Sequence, residues 1–278
     1  MEHNAAAAAG TIAIGGDLTV HRLGLGTNRI RDDAASRAVL RRAVELGINL
    51  IDTADVYTET LSEQVIGDTL APYPNGVVIA TKAGITIGPA GGRGVDASPA
   101  YLRGAVEGSL RRLRLDRIDL FILHRVDPQV PLAESLAALK RLQDEGEIRH
   151  LGLSSVSLAQ VEEARRQVEV TAVENAYSIA ERQYDDLVDY CEREGIAFLP
   201  YYPLRRVKLG ERARELEPLL RRYAATPAQL ALAWLLQRSP VMVPIPGTLS
   251  VEHLEENVAA TRIKLDADDA RTLERLAR

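Results

Sequence analysis

The chain has 278 residues, 46% of them hydrophobic, with a formal net charge of -5. That length suits one large α/β barrel or two modest domains, and the acidic balance argues against a dedicated nucleic-acid binder. No apolar run approaches the roughly 20 residues of a membrane span, and the single cysteine, Cys191, excludes an internal disulfide and reads as core filling. The start MEHNAAAAAG lacks the basic and long apolar regions of a signal peptide. These features predict a cytoplasmic protein with a flexible tail over 1–10 and a single domain over 11–278, whose partner is a small molecule.

Residues 11–14 and 18–20 flank Gly15, Gly16 and Asp17 and read as a β-hairpin. Two strands alone are marginal, so the hairpin is expected to plug one end of a larger body. A short strand at 23–26 leads into the polar loop 27–31, and its GLG is not a dinucleotide fingerprint because Arg29 stands where the third glycine belongs. Asp32 or Asp33 then caps a helix with Val39, Leu40, Ala43 and Val44 on one face, ended by Gly47. Strand INLI, loop DTADVYTET, a helix over 61–70 and strand VVIAT follow. After a glycine-rich loop over 84–94, Ser98 and Pro99 open a helix that leads to strand DLFIL. The alternation continues through a helix begun by Pro131, strand HLGLS, a helix capped by Ser157, strand VTAV, a helix over 182–194 and strand AFLPY. An extra helix around 212–223 and a helix capped at Thr226 and Pro227 precede the last strand, VMVPI, and two C-terminal helices.

Alternation on this scale means a parallel sheet. Eight strands after the hairpin predict an α/β fold, a (β/α)8 TIM barrel with the hairpin plugging one end and extra C-terminal helices. An open doubly wound sheet is the alternative, but it usually carries a phosphate-binding glycine turn after its first strand.

Three strand ends deliver titratable groups: Asp52 and Tyr57 at and after INLI, Lys82 after VVIAT, and His124 after DLFIL. Singly, each has a plain role as a turn cap, a half-buried aromatic, a counterion or a backbone hydrogen-bonder. In a barrel they meet at one mouth. A free tyrosine titrates at about 10; an ammonium at Lys82 favours its phenolate and lowers that value, while Asp52 keeps Lys82 charged. A neutral His124 donates to a substrate oxygen. The set is suited to protonating an oxygen on which charge develops.

The stretch NLIDTADVYTETLSEQVIGDTL, with ATKAG, DLFILHRVDP, GEIRHLGLSS, ENAYS, GIAFLPYYPL and IPGTLSVEHLEENVAA, resembles the aldo-keto reductase family over nearly the whole chain. The resemblance implies a nicotinamide cofactor, usually NADPH, with NADH also open, and reduction of an aldehyde or ketone by hydride transfer. It implies that Tyr57 gives the proton, Lys82 and Asp52 tune Tyr57, and His124 orients the carbonyl. It places Gly26, Thr27, Asp52, Ser154, Ser155, Glu174 and Tyr201 around the nicotinamide half. Leu204, Gly247, Thr248, Ser250, His253, Glu256 and Asn257 fall on the pyrophosphate and adenosine segments. Val56, Ile85 and Arg125, beside the catalytic positions, are expected to line the substrate pocket.

The chain departs from the family pattern at five positions. Glu174 replaces a common glutamine, Ser155 an asparagine and Tyr202 a serine, and Gly247 and His253 stand where many members place a lysine or arginine. Arg205, Arg206 and Lys208 offer loop charge to the cofactor phosphates or a solvated face. Three other readings stay open: a Schiff-base lyase using Lys82, which needs a neutral amine; a metal hydrolase, weakened because His124 lacks a second histidine at ligand spacing; and a cofactor-binding regulatory subunit with little turnover. Oligomeric state is not legible.

Overall fold

The structure is a computed structural model that describes residues 4–88, 91–205 and 213–277. Seven strands form one parallel sheet: β3 (Leu25–Gly26), β4 (Leu50–Asp52), β5 (Val78–Ala83), β8 (Ile118–Leu123), β9 (Ile148–Ser154), β10 (Val170–Glu174) and β11 (Ala197–Phe198), paired in that order. The helices between them are α1 (Ala34–Glu45), α2 (Leu61–Leu70), α3 (Pro99–Leu113), α4 (Leu132–Asp144), α5 (Leu158–Ala164) and α6 (Asp185–Glu194). After β11 come α7 (Ala213–Tyr223), α8 (Pro227–Arg238), α9 (Val251–Ala259) and α10 (Ala267–Ala277). Several starts are fixed as the sequence predicts. Asp33 and Ser98 accept from Ser36 and Tyr101 backbone N–H, and Ser157 and Thr226 form capping boxes with Gln160 and Gln229. The helix expected over 182–194 begins only at Asp185, because Ser178 and Glu181 first close a turn.

The eighth predicted strand, VMVPI, closes the sheet without becoming a regular strand. Phe198 and Ile245 donate to Val241 and Pro200 carbonyls on one side, and Gly24 and Gly26 donate to Pro244 and Pro246 carbonyls on the other. Pro244 and Pro246 have no N–H of their own, which breaks the ladder while leaving their carbonyls free to accept. Closure brings Gly26 and Gly247 together as a parallel bridge.

The hairpin of β1 (Thr11–Ile14) and β2 (Leu18–His21) plugs the N-terminal end of the strands. Ile14, Leu18 and Val20 are buried with Leu50, Val78, Leu120, Ile122 and Val243 inside the barrel. Beyond it, the Arg22 guanidinium donates to the Ser239 carbonyl at 2.6 Å and so ties the plug to the end of α8.

Two expectations are corrected. Of the residues expected to be a loose tail, Ala5–Ala9 form a 3-10 turn, in which Ala6 donates to the Leu46 carbonyl at 2.9 Å and is buried with Leu254 and Val258. A run of small methyls fits the gap where α1 ends beside α9. The glycine-rich stretch after β5 is a second hairpin, β6 (Ile85–Ile87) with β7 (Arg93–Val95). Among the described residues, no helix is long and apolar enough to cross a membrane.

Barrel closure supplies a direct test. A Cβ on Gly26 would stand 2.7 Å from the Ile245 carbonyl oxygen, so one strand must move. Gly26→Ala is expected to lower stability by about 1–3 kcal/mol, read as a lower denaturant midpoint at unchanged slope. An unchanged midpoint would refute this closure geometry.

Candidate active site

Asp52 ends β4, Lys82 lies near the end of β5, His124 follows β8, and Tyr57 sits in the turn between β4 and α2. Since β4, β5 and β8 are parallel neighbours, these residues share one mouth. Lys82 is fully buried, with Nζ 2.6 Å from Asp52 Oδ2, 2.8 Å from the Thr53 carbonyl oxygen and 3.3 Å from Glu174 Oε2. The same Nζ is 5.2 Å from the Tyr57 ring centroid. The rings of Tyr57 and His124 meet edge to face, with centroids 5.9 Å apart.

One lysine thus faces two buried carboxylates, an arrangement the sequence reading did not anticipate for Glu174. Burial pushes both carboxyls up; the Lys82 ammonium pulls Asp52 back, while the like charge of Asp52 pushes Glu174 well above the carboxylate range. A single ammonium compensates a single negative charge, so the two carboxyls compete for it, and Glu174 is the one that more readily keeps a proton. Burial opposes the charge on Lys82, but Asp52 and Glu174 outweigh it and hold the amine above its ordinary value. A charged amine is not a Schiff-base nucleophile, which counts against the lyase reading. His124 is held well below its ordinary value by burial and by Lys82, Arg125 and Arg93, so its ring is neutral. Its buried Nδ1 has no hydrogen-bond partner among the described residues.

Tyr57 departs from expectation. Burial is the largest influence and raises its pKa, the carboxyl pair Asp52 and Glu174 adds to that rise, and Lys82, which lowers the pKa as predicted, does not offset them. The phenol therefore sits above its ordinary value and is a neutral O–H.

A cavity of about 880 Å³ opens over this cluster. Its wall includes Gly26, Thr27, Ser154, Ser155, Tyr201, Leu204 and Gly247 from the expected cofactor set, and Val56, Ile85 and Arg125 from the expected substrate set. Ser155 and Tyr201 hydroxyls lie 3.1 Å apart, and Asn175, buried, holds Val156 through both its backbone groups. Thr248, Ser250, His253, Glu256 and Asn257 are not among the lining residues. Ser250 caps α9 by accepting from the His253 backbone N–H, Glu256 accepts from Thr226, and Thr248 and Asn257 are buried. Arg206 and Lys208 lie outside the described residues. The sequence reading assigned no site role to Asn28, Arg29, Arg93 or Tyr202, all of which line the cavity. Arg29 and Arg93 were visible only as cations in loops after strands. A second cavity of about 500 Å³, near Gly15, Arg165 and Glu194, lies at the opposite ends of β10 and β11, away from these groups.

Behind Tyr57, Asp55 is buried, and burial together with the nearby Glu63 charge pushes its carboxyl up to about 7. Tyr101 Oη lies 3.1 Å from Asp55 Oδ2 and 3.2 Å from the Ile85 carbonyl oxygen, linking this acid to the start of the second hairpin. The folded protein therefore holds a proton that the unfolded chain releases near 3.9. The resulting stability is complete below that value and is lost as pH rises through about 7. Relative to the native chain, Asp55→Asn is expected to gain stability as pH rises from about 4 to about 7 in denaturant titrations. Parallel pH profiles for the two proteins would contradict this.

Comparison with known proteins agrees with this geometry. The family model of the aldo/keto reductase family matches residues 22–278. An uncharacterized oxidoreductase, C215.11c, of Schizosaccharomyces pombe is 41% identical over 273 residues, covering 95% of this chain and 88% of that protein. Pyridoxine 4-dehydrogenase of Escherichia coli is 38% identical over 284 residues, covering 95% and 97%. The crystal structure of an aldo/keto reductase from Klebsiella pneumoniae in complex with NADP and acetate superposes with a TM-score of 0.83 at 30% identity, covering 96% of this chain and 94% of that one. With a closed parallel barrel, a buried lysine among carboxylates at its mouth and a match from Arg22 to the last residue, this chain belongs to the aldo/keto reductase family.

Proposed function

We propose that Tyr57 delivers the proton in an NADPH-dependent reduction of an aldehyde or ketone to an alcohol, carried out in the cytoplasm. The reaction class is that of the family, and the observation that carries the residue assignment is the buried contact of Lys82 with Asp52, below a neutral tyrosine and a neutral histidine. When bound, NADPH supplies the hydride. The residues present fit such a dinucleotide. Gly26 and Gly247 leave backbone open at the wall, Tyr201 offers an aromatic face, and Arg29 and Arg205 offer positive charge to phosphates. Glu174, as a neutral acid, both donates and accepts, as the amide common at this position does.

His124 positions the carbonyl oxygen by donating from its neutral ring. As negative charge develops there, Tyr57 transfers its proton. The tyrosinate left behind is stabilised by the Lys82 ammonium, whose attraction strengthens as the charge forms. Asp52 holds Lys82 in place and charged. The alcohol direction uses the same groups in reverse.

Tyr57→Phe is expected to leave NADPH affinity within a small factor and cut carbonyl reduction by about 10² or more, because the proton donor is gone. Full activity in this variant would overturn the assignment. A second expectation concerns Glu174. As pH rises and Glu174 ionises against Asp52, the site gains negative charge, so NADPH affinity of the native chain should fall. Glu174→Gln should flatten that dependence. Calorimetric titrations across pH decide this, and equal slopes would show that Glu174 holds no proton.

A further inference from the structure

We infer that Arg93 and Arg125 form an anion-binding rim on the substrate side of the cavity, and that the preferred substrates are carbonyl compounds carrying a carboxylate or phosphate. The inference rests on the carbonyl-reductase reading above and names the substrate class of that same site.

The placement follows from strand order. β5 and β8 are adjacent, with Lys82 beside Ile122 and Ala83 beside Leu123. The hairpin β6/β7 springs from β5 at Gly84, where a Cβ would stand 3.5 Å from backbone atoms of Arg125. Arg93 lies on the returning strand, and Arg125 directly follows His124. Arg93 and Arg125 both line the cavity, and the charge of both acts on the His124 ring, so they lie beside the group that positions the carbonyl. The segments proposed to hold the cofactor come from the rest of the ring: β9, β10, β11, the closing segment and β3.

Charge distribution supports an anion. The chain as a whole is acidic, at -5, yet among the described residues the only acids lining the cavity are Asp52 and Glu174, both in contact with Lys82. Arg93 and Arg125 are exposed, and neither guanidinium is paired with a carboxylate among the described residues. The nearby Asp127 and Asp96 carboxylates are occupied instead by backbone N–H groups of Ala97, Gln129 and Ser98. Two unpaired guanidiniums facing one pocket match carboxylate or phosphate oxygens in geometry and raise the local concentration of anionic substrates.

The test compares 4-formylbenzoate and 4-formylphenyl phosphate with methyl 4-formylbenzoate, using NADPH at low ionic strength. The ester is intrinsically the more electrophilic aldehyde, so preference for the anions reports recognition. The native chain is expected to favour at least one anion by about tenfold in kcat/KM, mostly through KM, with the preference shrinking as salt rises. The two anionic arms separate carboxylate from phosphate. In the double variant R93M/R125M the ratio should fall to one or below. A ratio near one in the native chain, or one unchanged in the variant, overturns the rim while turnover of the ester leaves the reductase reading intact. Should no aldehyde be reduced, that reading fails, and calorimetric binding of the same three compounds decides the rim by itself. Tighter binding of an anion that is lost in R93M/R125M supports it, and equal binding overturns it.

Discussion

The site depends on one constraint: a fully buried ammonium at Lys82 shared by two buried carboxylates. An ion pair of this kind seldom adds net stability, because desolvation consumes most of the Coulombic gain. What it provides is a fixed charge at the base of the cavity. Asp52 compensates Lys82, and Glu174, pushed well above the carboxylate range, is the readier of the two to keep a proton. Tyr57 and His124, which adjoin this group, are held neutral by the same burial. On the proposed mechanism the ammonium meets negative charge as it arises on the phenol, and no reorganisation of water is needed.

The barrel makes that arrangement possible by bringing four segments to one mouth from distant parts of the chain. Its closing segment is irregular where Pro244 and Pro246 interrupt the ladder, and the adjoining Gly26–Gly247 bridge leaves bare backbone at the cavity wall. The opposite end is sealed by the hairpin, whose Ile14, Leu18 and Val20 fill the barrel interior. One end thus serves stability and the other chemistry, a division common to parallel barrels.

Much of this was legible in the sequence, for physical reasons. Strand ends carry their C-terminal residues to the same face, so Asp52, Lys82 and His124 are placed by the alternating pattern alone. Caps at Asp33, Ser98, Ser157 and Thr226 are local and were readable locally. What could not be read was set by tertiary contact. The alanine run is packed only because α1 and α9 leave a gap for it, and the stretch after β5 pairs with itself despite its glycines. The second carboxylate on Lys82 is invisible until β10 is placed across the barrel from β5. The acidity of Tyr57 was judged from one neighbour, Lys82, whereas burial and two acids decide it. Ser250 also caps α9 and Glu256 also accepts from Thr226, contacts that the family pattern does not reveal.

The central claim, that the cavity over Lys82 is a hydride-transfer site, is tested most directly by isotope. NADPH deuterated at C4 of the nicotinamide, on the transferred face, would be incubated with the protein and an aromatic aldehyde in ordinary water, and the alcohol analysed by mass spectrometry and NMR. The account predicts one deuterium on the carbinol carbon, with the hydroxyl proton drawn from the protein. An alcohol without carbon-bound deuterium, or no alcohol from protein shown to bind NADPH, would contradict it.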